Sequence, residues 1–367
     1  MAVYDIIGDS IANVYDLSSN RLSQAYDING NVVFDSGIEP EDPFIKTTLA
    51  YDTNWFITSA WLANATIQRD AIKTIYQQSN DAIPFFIQTD GHGRYNEGNK
   101  GCHNLAEPIM RYIPNMMLGD YASYYSDGSN PTNHARTSAG ITNYLPAMGN
   151  HEFLRSSTDD PIGDMTLLIP SYTPYNGISG DQTYGYYKVL DAKNNVKWLV
   201  GQPHIPDDTN SSGFYSKYTN EQWEWFISEL ESNDGYDIIV LNHEPFAGTY
   251  YRPTTDDTVT YTGGNYNLSP ILSDRKAKRS GTYVDSDGVS HTYDFTNCIS
   301  DLLCVFHGHT HKTCVLSKSQ FGYPAFIYRD MTNNGDCAYG IIDRSAEKIY
   351  IYSFGKSSAD EAIVLDL

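Results

Sequence analysis

The sequence is short of positive charge: 24 Lys and Arg stand against 45 Asp and Glu, a formal net charge of −21. Such a surface repels nucleic-acid backbones and anionic membranes, which disfavours a polyanionic partner. Cysteine is scarce and odd in number, five in 367 residues. No C-x-x-C spacing occurs, so a disulfide framework is not expected, and Cys304, inside an apolar run, reads as a reduced buried thiol. No apolar run reaches the ~18 residues of a membrane span. Met1-Ala2-Val3-Tyr4-Asp5 lacks the basic and apolar segments of a secretory leader. The expectation is therefore a soluble, cytoplasmic protein without a membrane partner.

What the chain does have is a set of apolar runs that stop at residues able to bind metals. Ile83-Pro84-Phe85-Phe86-Ile87 leads to Asp90-Gly91-His92, and Met116-Met117-Leu118 leads to Gly119-Asp120. Leu145-Pro146-Ala147-Met148 leads to Gly149-Asn150-His151-Glu152, and Ile238-Ile239-Val240-Leu241 leads to Asn242-His243. Leu302-Leu303-Cys304-Val305-Phe306 opens into His307-Gly308-His309-Thr310-His311. Each run reads as a buried strand ending in a glycine- or asparagine-bearing turn. His309 and His311 are too close in sequence to converge easily on one tetrahedral ion. As alternate residues at a strand end, they can each reach one of two adjacent ions.

In this order the blocks D-x-H, GD, GNHE, H and GHTH resemble the calcineurin-like metallophosphoesterase family, over roughly residues 81 to 355. The ordered set is far more specific than any single block. The resemblance implies an α/β fold, a four-layer α-β-β-α sandwich of two mixed sheets. It also implies two metal ions. Asp90, His92, Asp120 and His311 would hold one, and Asp120, Asn150, His243 and His309 the other, with Asp120 bridging. Carboxylate, amide and imidazole ligands without thiolate suit Mn, Fe, Zn or Mg, divalent or trivalent, and do not choose among them. The chemistry implied is in-line attack on phosphorus by a hydroxide bridging the ions. His151, beside ligand Asn150, is the candidate to protonate the leaving alkoxide. The substrate class is a small phosphorylated molecule, either a phosphomonoester or a small phosphodiester. A structural or attachment protein that keeps the scaffold is the alternative, and a nuclease, opposed by the charge, is third.

Departures from the family pattern narrow the reading. Purple acid phosphatases replace the histidine that this chain keeps as His92, and Ser123 stands where they carry a metal-binding tyrosine. Protein phosphatases of the family read GDxxDRG where this chain reads Gly119-Asp120-Tyr121-Ala122-Ser123-Tyr124-Tyr125. The carboxylate that steadies the catalytic histidine is thus missing from its place, with Glu152 and Asp127 as candidate substitutes. Arg94 reads either as a phosphoryl clamp or as an ordinary surface arginine. Tyr121, Tyr124 and Tyr125 read either as a stacking surface for substrate or as sheet packing. His103, His134, His204 and His291 read as surface or satisfied core residues, and His307 as support behind the ligands.

Residues 1–50 lie outside the resemblance and form a small β-rich N-terminal extension, with 51–367 as the phosphoesterase domain. Tyr15-Asp16-Leu17 recurs as Tyr26-Asp27-Ile28, and Asn29-Gly30 is a hairpin-turn signal, so two β-hairpin units are expected. They are either an edge extension of the main sheet or a module docking the protein to a larger assembly, such as a cell surface or a virion.

Elsewhere, a helix is expected over 59–79 with Ile67, Ala71, Ile72 and Ile75 on its buried face and Asn80 closing it. A strand pair, Tyr184 to Leu190 and Val196 to Val200, turns at Asn194-Asn195. A second helix begins at the capping box Thr219/Gln222 and carries the stripe Trp223, Phe226, Ile227 and Leu230. Residues 246–296 read as a polar insertion over the site, with a basic knot at Arg275-Lys276-Lys278-Arg279 that is either solvated or meets a substrate phosphate. The tail strands Ala325 to Tyr328, Tyr339 to Ile342 and Ile349 to Phe354 are expected to complete the second sheet.

Overall fold

The computed structural model describes residues 59–79, 81–90, 113–120, 144–147, 149, 186–201, 205–206, 216–253, 257–262, 266–328, 337–354 and 362–367, together with the backbone of five strands near the N-terminus. The chain divides into two compact units, Met1–Thr48 and Leu49–Leu367.

In the first unit, β1 (Val3–Ile7), β2 (Ser10–Tyr15) and β3 (Arg21–Leu22) form an antiparallel sheet. β4 (Gln24–Tyr26) and β5 (Val32–Asp35) pair antiparallel on either side of Asn29-Gly30 in sequence. Tyr15 and Tyr26, the recurring tyrosines, each end a strand.

The second unit opens with α1 (Ser59–Gln78) and then builds two mixed sheets. One has six strands in the order β23-β22-β21-β6-β7-β8. Here β6 (Ala82–Gln88), β7 (Asn115–Leu118) and β8 (Tyr144–Ala147) run parallel, and β21 (Cys337–Asp343), β22 (Lys348–Phe354) and β23 (Ile363–Asp366) add antiparallel strands beside β6. The other sheet has eight strands, in the order β15-β14-β19-β20-β18-β13-β10-β9. Its members are β9 (Tyr187–Asp191), β10 (Val196–Gly201), β13 (Asp237–Asn242), β14 (Gly248–Tyr251), β15 (Thr258–Tyr261), β18 (Leu302–His307), β19 (Cys314–Leu316) and β20 (Ala325–Ile327). Two short ladders, β11 (Ile205–Pro206) with β12 (Ser216–Lys217) and β16 (Ser280–Val284) with β17 (Ser290–Asp294), stand outside the sheets.

The five apolar runs that end in ligand-type residues are β6, β7, β8, β13 and β18. Strands buried on both faces read as continuous apolar runs, because helices cover one side and the second sheet the other. Phe85 on β6 meets Phe306 on β18 with ring centroids 5.1 Å apart, joining the two sheets. Its neighbour Phe86, pointing to the opposite face, stacks on Tyr339 at 4.5 Å. The α1 helix covers the six-stranded sheet, tied to β22 by Gln68 Nε2 donating to the Ser353 carbonyl at 2.9 Å. The outer face of the eight-stranded sheet is covered by α2 (Asn220–Glu231) and α3 (Ser269–Lys276), giving the α-β-β-α sandwich. At the α2 N-terminus the Thr219 side chain accepts from Gln222 N and the Gln222 side chain accepts from Thr219 N, so the capping box forms. Trp223, Phe226, Ile227 and Leu230 are all buried under it, each contributing roughly 1.5–3 kcal/mol.

Four expectations are corrected. Ile72 is buried as expected, but Ile67 is 53 % exposed and Ala71 and Ile75 are only half-buried; Ala65 and Gln68 join Ile72 on the buried face, which is turned from the one centred on all three isoleucines. The span 246–296 is not simply an insertion over the site. β14 and β15 extend the large sheet, and α3 with the β16–β17 hairpin packs on its outer face beside α2. Arg275 in the basic knot is neither solvated nor available to substrate. Its fully buried guanidinium donates to the Leu230 and Ser300 carbonyls and to Ser300 Oγ, at 2.7, 3.0 and 2.9 Å. The tail does not all join one sheet, because β20 pairs with β18 and β19 in the large sheet while β21 and β22 join the small one. His291 is buried and bonded to Asp285 at 2.9 Å. Cys298, Cys304 and Cys314 are buried free thiols, Cys337 is buried as well, and burial pushes the Cys304 thiol well up. Among the described residues, no helix is long and apolar enough to cross a membrane.

Candidate metal centre

Parallel pairing brings the carboxyl ends of the ligand strands together. β6, β7 and β8 pair in register from Phe86↔Asn115 to Leu118↔Ala147, and β13 pairs with β18 up to Leu241↔Phe306. One or a few residues beyond those ends lie Asp90, Asp120, His243, His309 and His311. Asp120, His243 and His309 offer one ligand atom each, all within 4.8 Å of one another. His243 Nε2 is 3.2 Å from Asp120 Oδ2 and 3.3 Å from His309 Nδ1. Beside this trio, His311 Nε2 lies 3.4 Å from Asp90 Oδ1. Asp90, Asp120 and His243 are buried, whereas the His311 side chain is 37 % exposed, which leaves the centre an open side.

The backbone here is held in conformations that L-residues avoid. Asp90, Asp120, His309 and His311 have φ of 52°, 55°, 70° and 55°. The left-handed region costs roughly 1–2 kcal/mol for a residue with a Cβ, and such strain collects where function requires a particular side-chain direction. Two glycines make room for it. A Cβ on Gly119 (φ +87°) would lie 2.5 Å from His243 Nδ1, and one on Gly149 would lie 2.0 Å from Asp120 Oδ1.

Hydrogen bonds fix the direction of each donor. His243 Nδ1–H donates to the Leu118 carbonyl, which turns Nε2 toward Asp120 and His309. Asp90 Oδ2 accepts from His309 N–H at 2.9 Å and lies against the Thr89 hydroxyl, itself 3.0 Å from the Leu118 oxygen. Burial pulls the His243 imidazole down, but the Asp120 and Asp90 carboxylates and the Leu118 carbonyl outweigh it and hold the group up to about 10. Surroundings that hold a proton there would equally hold a cation. The donor set, one carboxylate with two imidazoles in a glycine-lined cradle, therefore fits a first-row transition metal or zinc. His307 behaves oppositely. Burial drives it down to about 3 against the pull of the Asn242 carbonyl, so it is neutral, with Nδ1 2.9 Å from that oxygen.

Of the residues expected at the site, the structure thus brings together Asp90, Asp120, His243, His309 and His311. His92, Asn150 and His151 lie outside the described residues, as do Arg94, Asp127 and Glu152. The sequence reading missed Thr89, Asn242 and Glu244. All three are buried polar residues adjoining a ligand at the end of an otherwise apolar strand, a position that is itself the signal.

A sequence description of the calcineurin-like phosphoesterase family matches residues 83–313. The chain belongs to this family. No curated protein matches it significantly. Solved structures of similar fold share little sequence with it. PhoD is 9 % identical with a TM-score of 0.44, covering 78 % of this chain and 69 % of its own. GAP50, titled the anchor in the inner membrane complex of Plasmodium, is 11 % identical with a TM-score of 0.44, covering 78 % and 89 %. A metallophosphoesterase from Sphaerobacter thermophilus is 11 % identical with a TM-score of 0.31, covering 74 % and 88 %.

Proposed function

We propose that the protein hydrolyses small phosphate esters, monoesters or small diesters, at a centre for two cations. One cation would be held by Asp90, His92, Asp120 and His311, and the other by Asp120, Asn150, His243 and His309, with Asp120 shared. The observation that carries this reading is the convergence of Asp120, His243 and His309 within 4.8 Å, with Asp90 and His311 paired beside them. When bound, such ions neutralise phosphoryl oxygens and lower the pKa of a water toward about 7. The chain's own residues do the rest. Leu118 keeps His243 in the tautomer that offers Nε2. The strained turns aim Asp120 and His309 inward, and His311, on the open side, leaves room for an ester to enter. His151 carries the proton to the departing alkoxide. The net charge of −21 favours a small substrate over a nucleic acid.

The test is turnover of p-nitrophenyl phosphate and its bis-ester by the purified protein, loaded separately with Mn, Zn, Mg and Fe and analysed for metal content. Hydrolysis of either ester, with about two metals per chain, is the expected result. Metal uptake without turnover of any ester would favour the scaffold protein.

A further inference from the structure

His243 is restrained from the side away from its Asp120 and His309 neighbours. Its Nδ1–H is held by the Leu118 carbonyl, and its own carbonyl accepts from Gly308 N–H at 2.9 Å. The third restraint acts one residue earlier. The Asn242 carbonyl, just past the last β13–β18 pair Leu241↔Phe306, accepts from a side chain, His307 Nδ1, at 2.9 Å. His307 is fully buried, edge-on to Phe246 with centroids 4.9 Å apart and to Tyr250 at 6.5 Å, so the ring has no freedom to leave. The Asn242 side chain is also fully engaged. Its Oδ1 accepts from the Tyr218 hydroxyl at 2.9 Å and its Nδ2 donates to the Glu244 carbonyl at 2.6 Å.

Because the peptide is planar, fixing the Asn242 oxygen fixes the nitrogen of His243 and the direction in which its Cα leaves the strand. We propose that His307 is a positioning residue: its Nδ1–H locks the Asn242–His243 peptide so that His243 Nε2 stays within reach of Asp120 and His309. The proposal rests on the reading that those three residues hold a cation. Losing a hydrogen bond of this kind behind a metal ligand typically weakens metal binding 10- to 100-fold.

The experiment measures Zn²⁺ and Mn²⁺ affinity by competition with a chromogenic chelator, alongside thermal unfolding, for the full chain and two variants. In His307→Asn the amide nitrogen takes the place of Nδ1 and keeps the donor; in His307→Gln the donor moves out to the Nε2 position. The expected result is affinity within about threefold of the parent for Asn and at least tenfold weaker for Gln, in line with the loss above. A folded Gln variant that binds metal like the parent overturns the proposal, as does an Asn variant as weak as Gln. Should the Gln variant not fold, the Asn variant decides alone: parental affinity supports the proposal and a tenfold loss overturns it. A parent chain that takes up neither ion overturns the cation reading itself and this proposal with it.

Discussion

The sharpest test of the site's geometry is a pair of glycine substitutions that share a backbone angle and differ in what surrounds it. Gly119 and Gly235 both have φ of +87°. A Cβ on Gly235 meets nothing within 4 Å, whereas one on Gly119 would lie 2.5 Å from His243 Nδ1 and 2.6 Å from the Gly149 nitrogen. Gly235→Ala should therefore cost only the left-handed strain, about 1–2 kcal/mol. Gly119→Ala carries the same strain plus an overlap that no rotamer relieves, since Gly149 N is backbone and His243 is pinned by Leu118. Forcing extra atoms into such a packed place adds about 1–3 kcal/mol, for roughly 2–5 in all. The displaced imidazole should also weaken metal binding at least tenfold, an effect absent from Gly235→Ala. Chemical denaturation gives the stabilities, and chelator competition gives the affinities. Equal stability losses with equal metal affinity in the two variants would refute the argument that Gly119 is there to admit His243.

If Asp120 is shared between two cations as proposed, Asp120→Asn should weaken both metal sites and abolish turnover; two metals per chain in that variant would refute sharing. His151→Asn should keep both metals and near-parental KM while kcat falls about 10²- to 10⁴-fold, most for esters of poor leaving alcohols. A lost metal would make His151 a ligand instead. Arg275→Met should destabilise the fold by roughly 3–5 kcal/mol in chemical denaturation without changing metal affinity. The Leu230 and Ser300 carbonyls, one on α2 and the other just before β18 begins, lose a buried charged donor. A loss below about 1 kcal/mol would show that water replaces the guanidinium.

The parts of this fold that could be read in the sequence are those with local causes. Buried parallel strands announce themselves as apolar runs, and among the described residues those just beyond the carboxyl ends of β6, β7, β13 and β18 include the ones the structure gathers: Asp90, Asp120, His243, His309 and His311. α2 was legible because its cap, Thr219 with Gln222, is a contact three residues long. The missed features have distant causes. Gln68 is buried because its amide reaches the Ser353 carbonyl, 285 positions away, so no local pattern marks it as the inward face of α1. Arg275 looks like one charge among several, and only carbonyls 45 and 25 positions off make it a core residue. The sheet that β20 joins depends on which neighbour closes the ladder, and strands of similar composition give no clue. At the site, the aspartates and histidines stood out by type. Thr89 and Asn242, which hold those side chains and turns in place, are ordinary polar residues whose role appears only with their partners.

The position of β21 has a consequence for how the protein is made. It lies between β6 and β22, pairing with the first ligand strand from Ala82↔Asp343 to Ile87↔Ala338. A nascent chain that has delivered its candidate metal ligands as far as His311 still has one long side of β6 open, because the strand that covers it has yet to be synthesised. That exposed edge of Ile83, Phe85 and Phe86 is an invitation to wrong pairings. Closing it brings together residues some 250 positions apart, a slow step by the general dependence of folding rate on contact separation. Completion of the sheet that carries Asp90 and Asp120 therefore waits on β21.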